Sequence, residues 1–149
     1  MNARVAALST VLAVLAAACS SSAGTSRPES ESMKIEIRVN DTTFAATLAG
    51  NSSAAALVEL LRKGDLTLDM EDYGGFEKVA DLPATLPRND TQIDTDAGDL
   101  ILYLGKRIVI YYDKNSWNFT PLGKIDNVDK KRLKQILGDG NATVTFSAK

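Results

Sequence analysis

Six consecutive residues, Lys34-Ile35-Glu36-Ile37-Arg38-Val39, alternate charged and apolar side chains without a break. Only an extended chain places every second side chain on one face, so this is a strand with one wet side and one buried side. Asn40-Asp41 reads as a turn, and Phe44, Ala46 and Leu48 continue the period of two, which predicts a hairpin. Leu66, Leu68 and Met70 alternate with Thr67 and Asp69 in a further strand that ends at Gly74-Gly75. Residues 100–104 and 107–112, joined at Gly105-Lys106, are apolar on both faces and predict a central hairpin buried on two sides. Val144 and Phe146, alternating with Thr143 and Thr145, form the closing strand.

Two segments carry the helical period instead. Leu57, Leu60 and Leu61 lie on one face of a helix over residues 54–61, with Ser52 or Ser53 as its cap. Leu133, Ile136 and Leu137 lie on one face of a second helix, over about residues 128–137, which stops at Gly138. Residues 80–98, with Pro83, Pro87 and several Asp and Thr, read as a long loop. At least six strands and two widely separated helices, without repeated βα units, predict a mostly β fold: an antiparallel barrel or sandwich capped by two α-helices.

The chemistry open to this fold is narrow. The 149 residues include no His and one Cys, which removes Ser-His-Asp and Cys-His catalysis, a His proton shuttle and any His or paired-Cys zinc site. A net charge of −2 gives no basic footprint for nucleic acid. Asp94, Asp96 and Asp99 lack the later bidentate Glu of a calcium loop, so no metal is expected. No motif for a cofactor is present.

Residues 1–18 carry one positive charge at Arg4, an apolar run and three alanines, the form of a secretory signal peptide. Leu15-Ala16-Ala17-Ala18-Cys19 resembles a bacterial lipobox, although Leu is more usual where Ala16 stands. The resemblance implies that Cys19 is acylated after cleavage, and more than one acyl chain gives stable membrane anchoring. Residues 19–33, rich in Ser and without a large apolar run, then read as the lipidated Cys and a flexible tether. The domain at 34–149 would sit outside the cytoplasm at the cell envelope, as a monomer.

Met70-Glu71-Asp72 leading to Glu77-Lys78, the pairs Leu82-Pro83 and Leu86-Pro87, Gly98-Asp99-Leu100 with Tyr103, Leu122-Gly123-Lys124-Ile125, and Leu137-Gly138-Asp139-Gly140 before Val144-Thr145-Phe146 follow one another in order. Together they resemble the cyclophilin-like β-barrel family of small bacterial proteins, often lipoproteins and sometimes associated with flavodoxin-like domains. The resemblance implies a closed antiparallel barrel related to a peptidyl-prolyl isomerase. Cyclophilins carry an Arg in a Phe-His-Arg-Ile-Ile strand, and the matching segment is Phe76-Glu77-Lys78-Val79-Ala80. Lys78 replaces the Arg, and a flexible point charge is no equivalent of a planar guanidinium. Phe119 stands where a cyclophilin His would be. No catalytic residue is carried over.

The expectation is therefore a non-catalytic barrel that binds a peptide segment or small ligand, with Phe76, Lys78, Tyr112, Trp117 and Phe119 as its lining. Only one of Tyr111 and Tyr112 can face such a pocket, because they are successive residues of a strand. Competing structural roles are a barrel-end plug for Trp117 and Phe119 and a solvated strand edge for Glu77 and Lys78. An isomerase with Lys78 as an unusual donor is the first alternative. An accessory of flavodoxin-type electron transfer is the second.

Overall fold

The computed structural model describes residues 32–149. The leader, Cys19 and the tether up to residue 31 lie outside the described residues. β1 (Lys34–Val39) and β2 (Thr42–Leu48) form the expected hairpin, with Asn40 at φ 51° in its turn. α1 (Ser52–Arg62) follows. Its cap is Asn51, whose side chain accepts from the Ala54 amide at 2.9 Å. The two serines named from sequence sit one and two places too late. Ser53 is buried and donates to the Pro87 carbonyl, while Asn89 Nδ2 donates to both serine hydroxyls, so they tie the helix to the 82–90 segment.

β3 (Leu66–Tyr73) and β4 (Glu77–Asp81) are joined across Gly74 and Gly75, both at positive φ. A side chain on Gly74 would meet the Phe76 ring at 2.2 Å, so glycine is what lets that ring lie against the turn. β5 (Thr91–Asp94) is short, and the hairpin of β6 (Asp99–Tyr103) and β7 (Arg107–Tyr111) follows. β8 (Ser116–Ile125), α2 (Lys130–Leu137) and β9 (Ala142–Ala148) complete the chain. α2 begins two residues after the position expected from sequence, behind an Asp129 cap, and ends at Gly138 with φ 69°.

Eight strands run in the order β2-β1-β9-β3-β4-β7-β6-β8, every pair antiparallel, and β8 pairs back to β2 through Ala46↔Ile125, Thr47↔Lys124 and Leu48↔Gly123. The sheet is therefore a closed barrel, which leaves no free edges in its wall. Its interior holds Ile35, Ile37, Leu100, Ile108, Ile110 and Phe146, and the helices lay Leu57, Leu61, Leu133 and Leu137 on the same cluster.

The expected long loop at 80–98 is not irregular throughout. It includes the end of β4 and the strand β5, and Leu82 and Leu86 are buried where their amides donate to the carbonyls of Lys106 and Gly105. β5 hangs outside the barrel on the first half of β8, in the register Thr91↔Phe119 to Asp94↔Ser116. A second, smaller cluster, Ile101, Val109, Tyr111 and Phe119, lies on the outer face of the wall.

Candidate functional site

The period of two decides what the outer face carries. In the β4–β7 register Glu77 faces Tyr111, Val79 faces Val109 and Asp81 faces Arg107. Alternate positions point the same way, so these six side chains share the outer surface, and Lys78, Ala80, Ile108 and Ile110 point inward. Tyr103 joins the outer set opposite Arg107, and Tyr73 joins it opposite Glu77. β8 contributes Trp117 and Phe119, held by β5. Asn115 is fixed by a pair of hydrogen bonds with Thr95, which donates its amide to the Asn115 carbonyl and accepts the Asn115 amide on its hydroxyl.

These outer-face residues other than Asp81, with Phe76 and Asn115, enclose a cleft of about 340 Å³. Five rings follow one another along it: Tyr73 meets Phe76 edge-on at 6.0 Å between centroids, Phe76 stacks on Tyr111 at 6.3 Å, Tyr111 tilts against Phe119 at 5.6 Å, and Phe119 meets Tyr103 at 6.3 Å. Trp117 stands at the rim. Of the nine aromatic residues in the chain, four Phe, four Tyr and one Trp, six line this cleft. Tyr73 and Trp117 are each 62% exposed.

Glu77 is the buried charge of the cleft, 9% exposed. Burial raises its carboxyl above the usual carboxylate range, partly offset by a hydrogen bond from the Tyr111 hydroxyl. The same burial and the bond to Glu77 raise the Tyr111 phenol, to which Asn115 Nδ2 donates at 3.3 Å. Arg107 lines the opposite end, where its Nε donates to Asp81 at 2.9 Å.

Phe76, Trp117 and Phe119, expected together from sequence, are together here. Neither Trp117 nor Phe119 plugs the barrel, since both lie on its outer face. Lys78 and Tyr112 point the other way. Lys78 is neither a solvated edge nor a cleft donor: its side chain is fully buried, and its Nζ donates to Asp72 Oδ1 at 2.9 Å, to the Gly138 carbonyl at 2.9 Å and to the Gly140 carbonyl. That accounts for all three ammonium hydrogens. Tyr112 donates to the same Asp72 and lies 5.5 Å below the Lys78 ammonium. The pair fastens the turn after α2 to the inner wall.

Sequence reasoning missed Tyr111, the tyrosine that does face the cleft, together with Tyr73, Tyr103, Glu77 and Arg107. One signal could have found it: Arg107, an obvious outward residue, shares its face with Val109 and Tyr111 at the strand period.

Among the described residues no group of three or more His, Cys, Asp or Glu is arranged to hold a metal. Asp94 accepts from Ser116, Asp96 from the Ala97 amide, and Asp99 from the Asp96 amide and Lys124.

No curated protein matches the chain. A family model described as the Cyclophilin-like family matches residues 37–147, which covers all of the barrel but the first residues of β1 and the last of β9. The closed eight-stranded barrel with its two helices and this match together place the chain in the cyclophilin-like family.

Proposed function

We propose that this is a lipid-anchored envelope protein whose barrel binds a peptide segment or small ligand, without catalysis, in the cleft on its outer face. The observation that carries the reading is the placement of six aromatic residues on that one surface, two of them at an exposed rim. Ligand sites are concave and aromatic-lined with few polar groups. Here the polar groups are Glu77, Arg107 and Asn115.

The non-catalytic part rests on two positions. Lys78, in the place of the cyclophilin Arg, has its ammonium committed on the inner side of the wall. Phe119, in the place of the His, offers no donor. Lowering an amide rotation barrier of roughly 18–20 kcal/mol needs a donor held near the prolyl nitrogen.

An NMR titration of the protein with proline-containing peptides tests both parts. Saturable shifts are expected for the amides around Phe76, Tyr111 and Trp117, with no gain in the cis–trans exchange rate of an Ala-Pro peptide. Accelerated exchange would make the protein an isomerase. The anchor is tested separately with an alkynyl fatty acid fed to expressing cells. Label and membrane fractionation are expected for the wild type, and both should be lost in Cys19→Ser.

A further inference from the structure

The charge inside the cleft selects what it binds. Glu77 is nine-tenths buried, faces the cleft and has no ion-pair partner among the described residues. The cations of its own strand and of the two that flank it, Lys78 and Arg107, are both committed elsewhere. Lys78, its neighbour in sequence, is bonded to Asp72 behind the wall. Arg107 is four residues along β7 from Tyr111, roughly 13 Å at the rise of a strand, and is bonded to Asp81. A carboxylate in such a place is costly unless a positive group compensates it.

What surrounds Glu77 is also suited to a cation. Tyr73 and Tyr111 are its direct neighbours on the two flanking strands, and Phe76 precedes it. Aromatic faces attract an alkylammonium through the ring quadrupole, and a set of rings around a carboxylate is a general way to bind one. The volume, about 340 Å³, is at the small end of the range of ligand pockets, roughly 300–1,000 Å³. That favours a compact molecule over an extended chain.

Resting on the binding role proposed above, we infer that the cleft takes a small organic cation of the quaternary or tertiary alkylammonium class, with its charge against Glu77 and its alkyl groups against Tyr73, Phe76 and Tyr111. Arg107 lies at the far end and sets the length of molecule that fits.

Trp117 is the one tryptophan in the chain and stands at the rim, so its fluorescence reports occupancy directly. The full chain is titrated with choline, with 3,3-dimethylbutan-1-ol, the uncharged carbon isostere of choline, and with an Ala-Lys-Ala peptide. The expected result is a saturable change with choline and binding of the alcohol about tenfold weaker or worse. Glu77→Gln is expected to remove that preference, bringing choline to the affinity of the alcohol. Tyr73→Leu, at a position 62% exposed, is expected to weaken choline more than the alcohol, because only the cation gains from the ring quadrupole. Equal binding of choline and the alcohol overturns the inference and leaves the apolar cleft standing as a site. Tighter binding of the peptide than of choline overturns it in favour of a basic side chain. No response to any of the three overturns the inference and, if the proline peptides also fail, the binding role itself.

Discussion

Glu77 and Lys78 are successive residues of opposite charge whose side chains lie on opposite sides of the barrel wall. The Glu77 carboxyl opens on the aromatic cleft, and the Lys78 ammonium is held 2.9 Å from Asp72 on the inner side. One strand thereby separates a charge that has an ion-pair partner from one that has none among the described residues. The two should respond in opposite directions when neutralised.

Lys78→Ala should destabilise the barrel severely. It leaves the Gly138 and Gly140 carbonyls and the Asp72 carboxylate without their donor in a site closed to solvent on the lysine side. Removing one member of a buried pair costs about 3–5 kcal/mol. Lys78→Met, which keeps the stem volume, should lose less. Urea unfolding gives the ranking, and the Trp117 emission of folded Lys78→Met should match the wild type because the cleft lies on the other face.

Asp72 makes the same network sensitive to acid. The hydrogen bond from Tyr112, then that from Lys78, hold its carboxyl below the ordinary value of 3.8. A depressed carboxyl contributes stability that is present above its unfolded pKa and is lost as the pH falls through the folded one. Wild type should therefore lose stability more steeply than Asp72→Asn below about pH 4. Melting temperatures from pH 7 to pH 2.5 would show whether the two curves converge there.

Glu77 carries the opposite sign. Burial raises its carboxyl above the ordinary value of 4.5, so the folded state holds its proton to higher pH than the unfolded chain does. Ionisation then opposes folding once the pH passes the unfolded value. Glu77→Gln keeps an oxygen for the Tyr111 hydroxyl, and should melt at a higher temperature than wild type at pH 7 and at nearly the same temperature at pH 4. Tyr73, Tyr103, Tyr111 and Arg107 line the cleft with it, and Glu71 lies one outward position along β3. No other carboxyl lines the cleft, so the difference between the two proteins isolates Glu77.

Much of the barrel was legible because its strands declare themselves. The hairpin of β1 and β2 shows strict alternation, and the two-sided apolarity of β6 and β7 correctly signals a wall covered on both faces. What covers the outer face was not legible. β5 is four residues, Thr91–Asp94, with a single apolar side chain, too short for a period to show. β4 hid for another reason: Lys78 reads as a wet residue until Asp72 and the carbonyls of Gly138 and Gly140 are brought to it by pairings far along the chain. The choice between Tyr111 and Tyr112 failed because a strand apolar on both faces has no intrinsic phase. Only the polar residues at its ends, Arg107 outward and Asp113 beyond, could set one.

The closure of the barrel supplies a test that joins fold to site. At Gly123 a Cβ would lie 2.3 Å from the Thr47 carbonyl oxygen and 2.8 Å from the Leu48 Cα. These are backbone atoms of the strand that closes the ring, so no rotamer change relieves the clash. Gly123→Ala should cost about 3 kcal/mol, the upper end for overpacking a tight contact. Gly50→Ala, where the added methyl meets nothing within 4 Å, should be nearly neutral. The amides of Ala49 and Asp126, which donate to Leu122 and Ala45 on either side of the closure at 2.8 Å, should exchange faster in Gly123→Ala than in wild type. β8 also carries Trp117 and Phe119 on its first half. If it is held chiefly by β2, the cleft should loosen with the closure and Trp117 should become easier to quench with acrylamide. If β5 and β6 hold it, quenching will stay at the wild-type level while the two amides alone respond, and the site will prove mechanically independent of the ring.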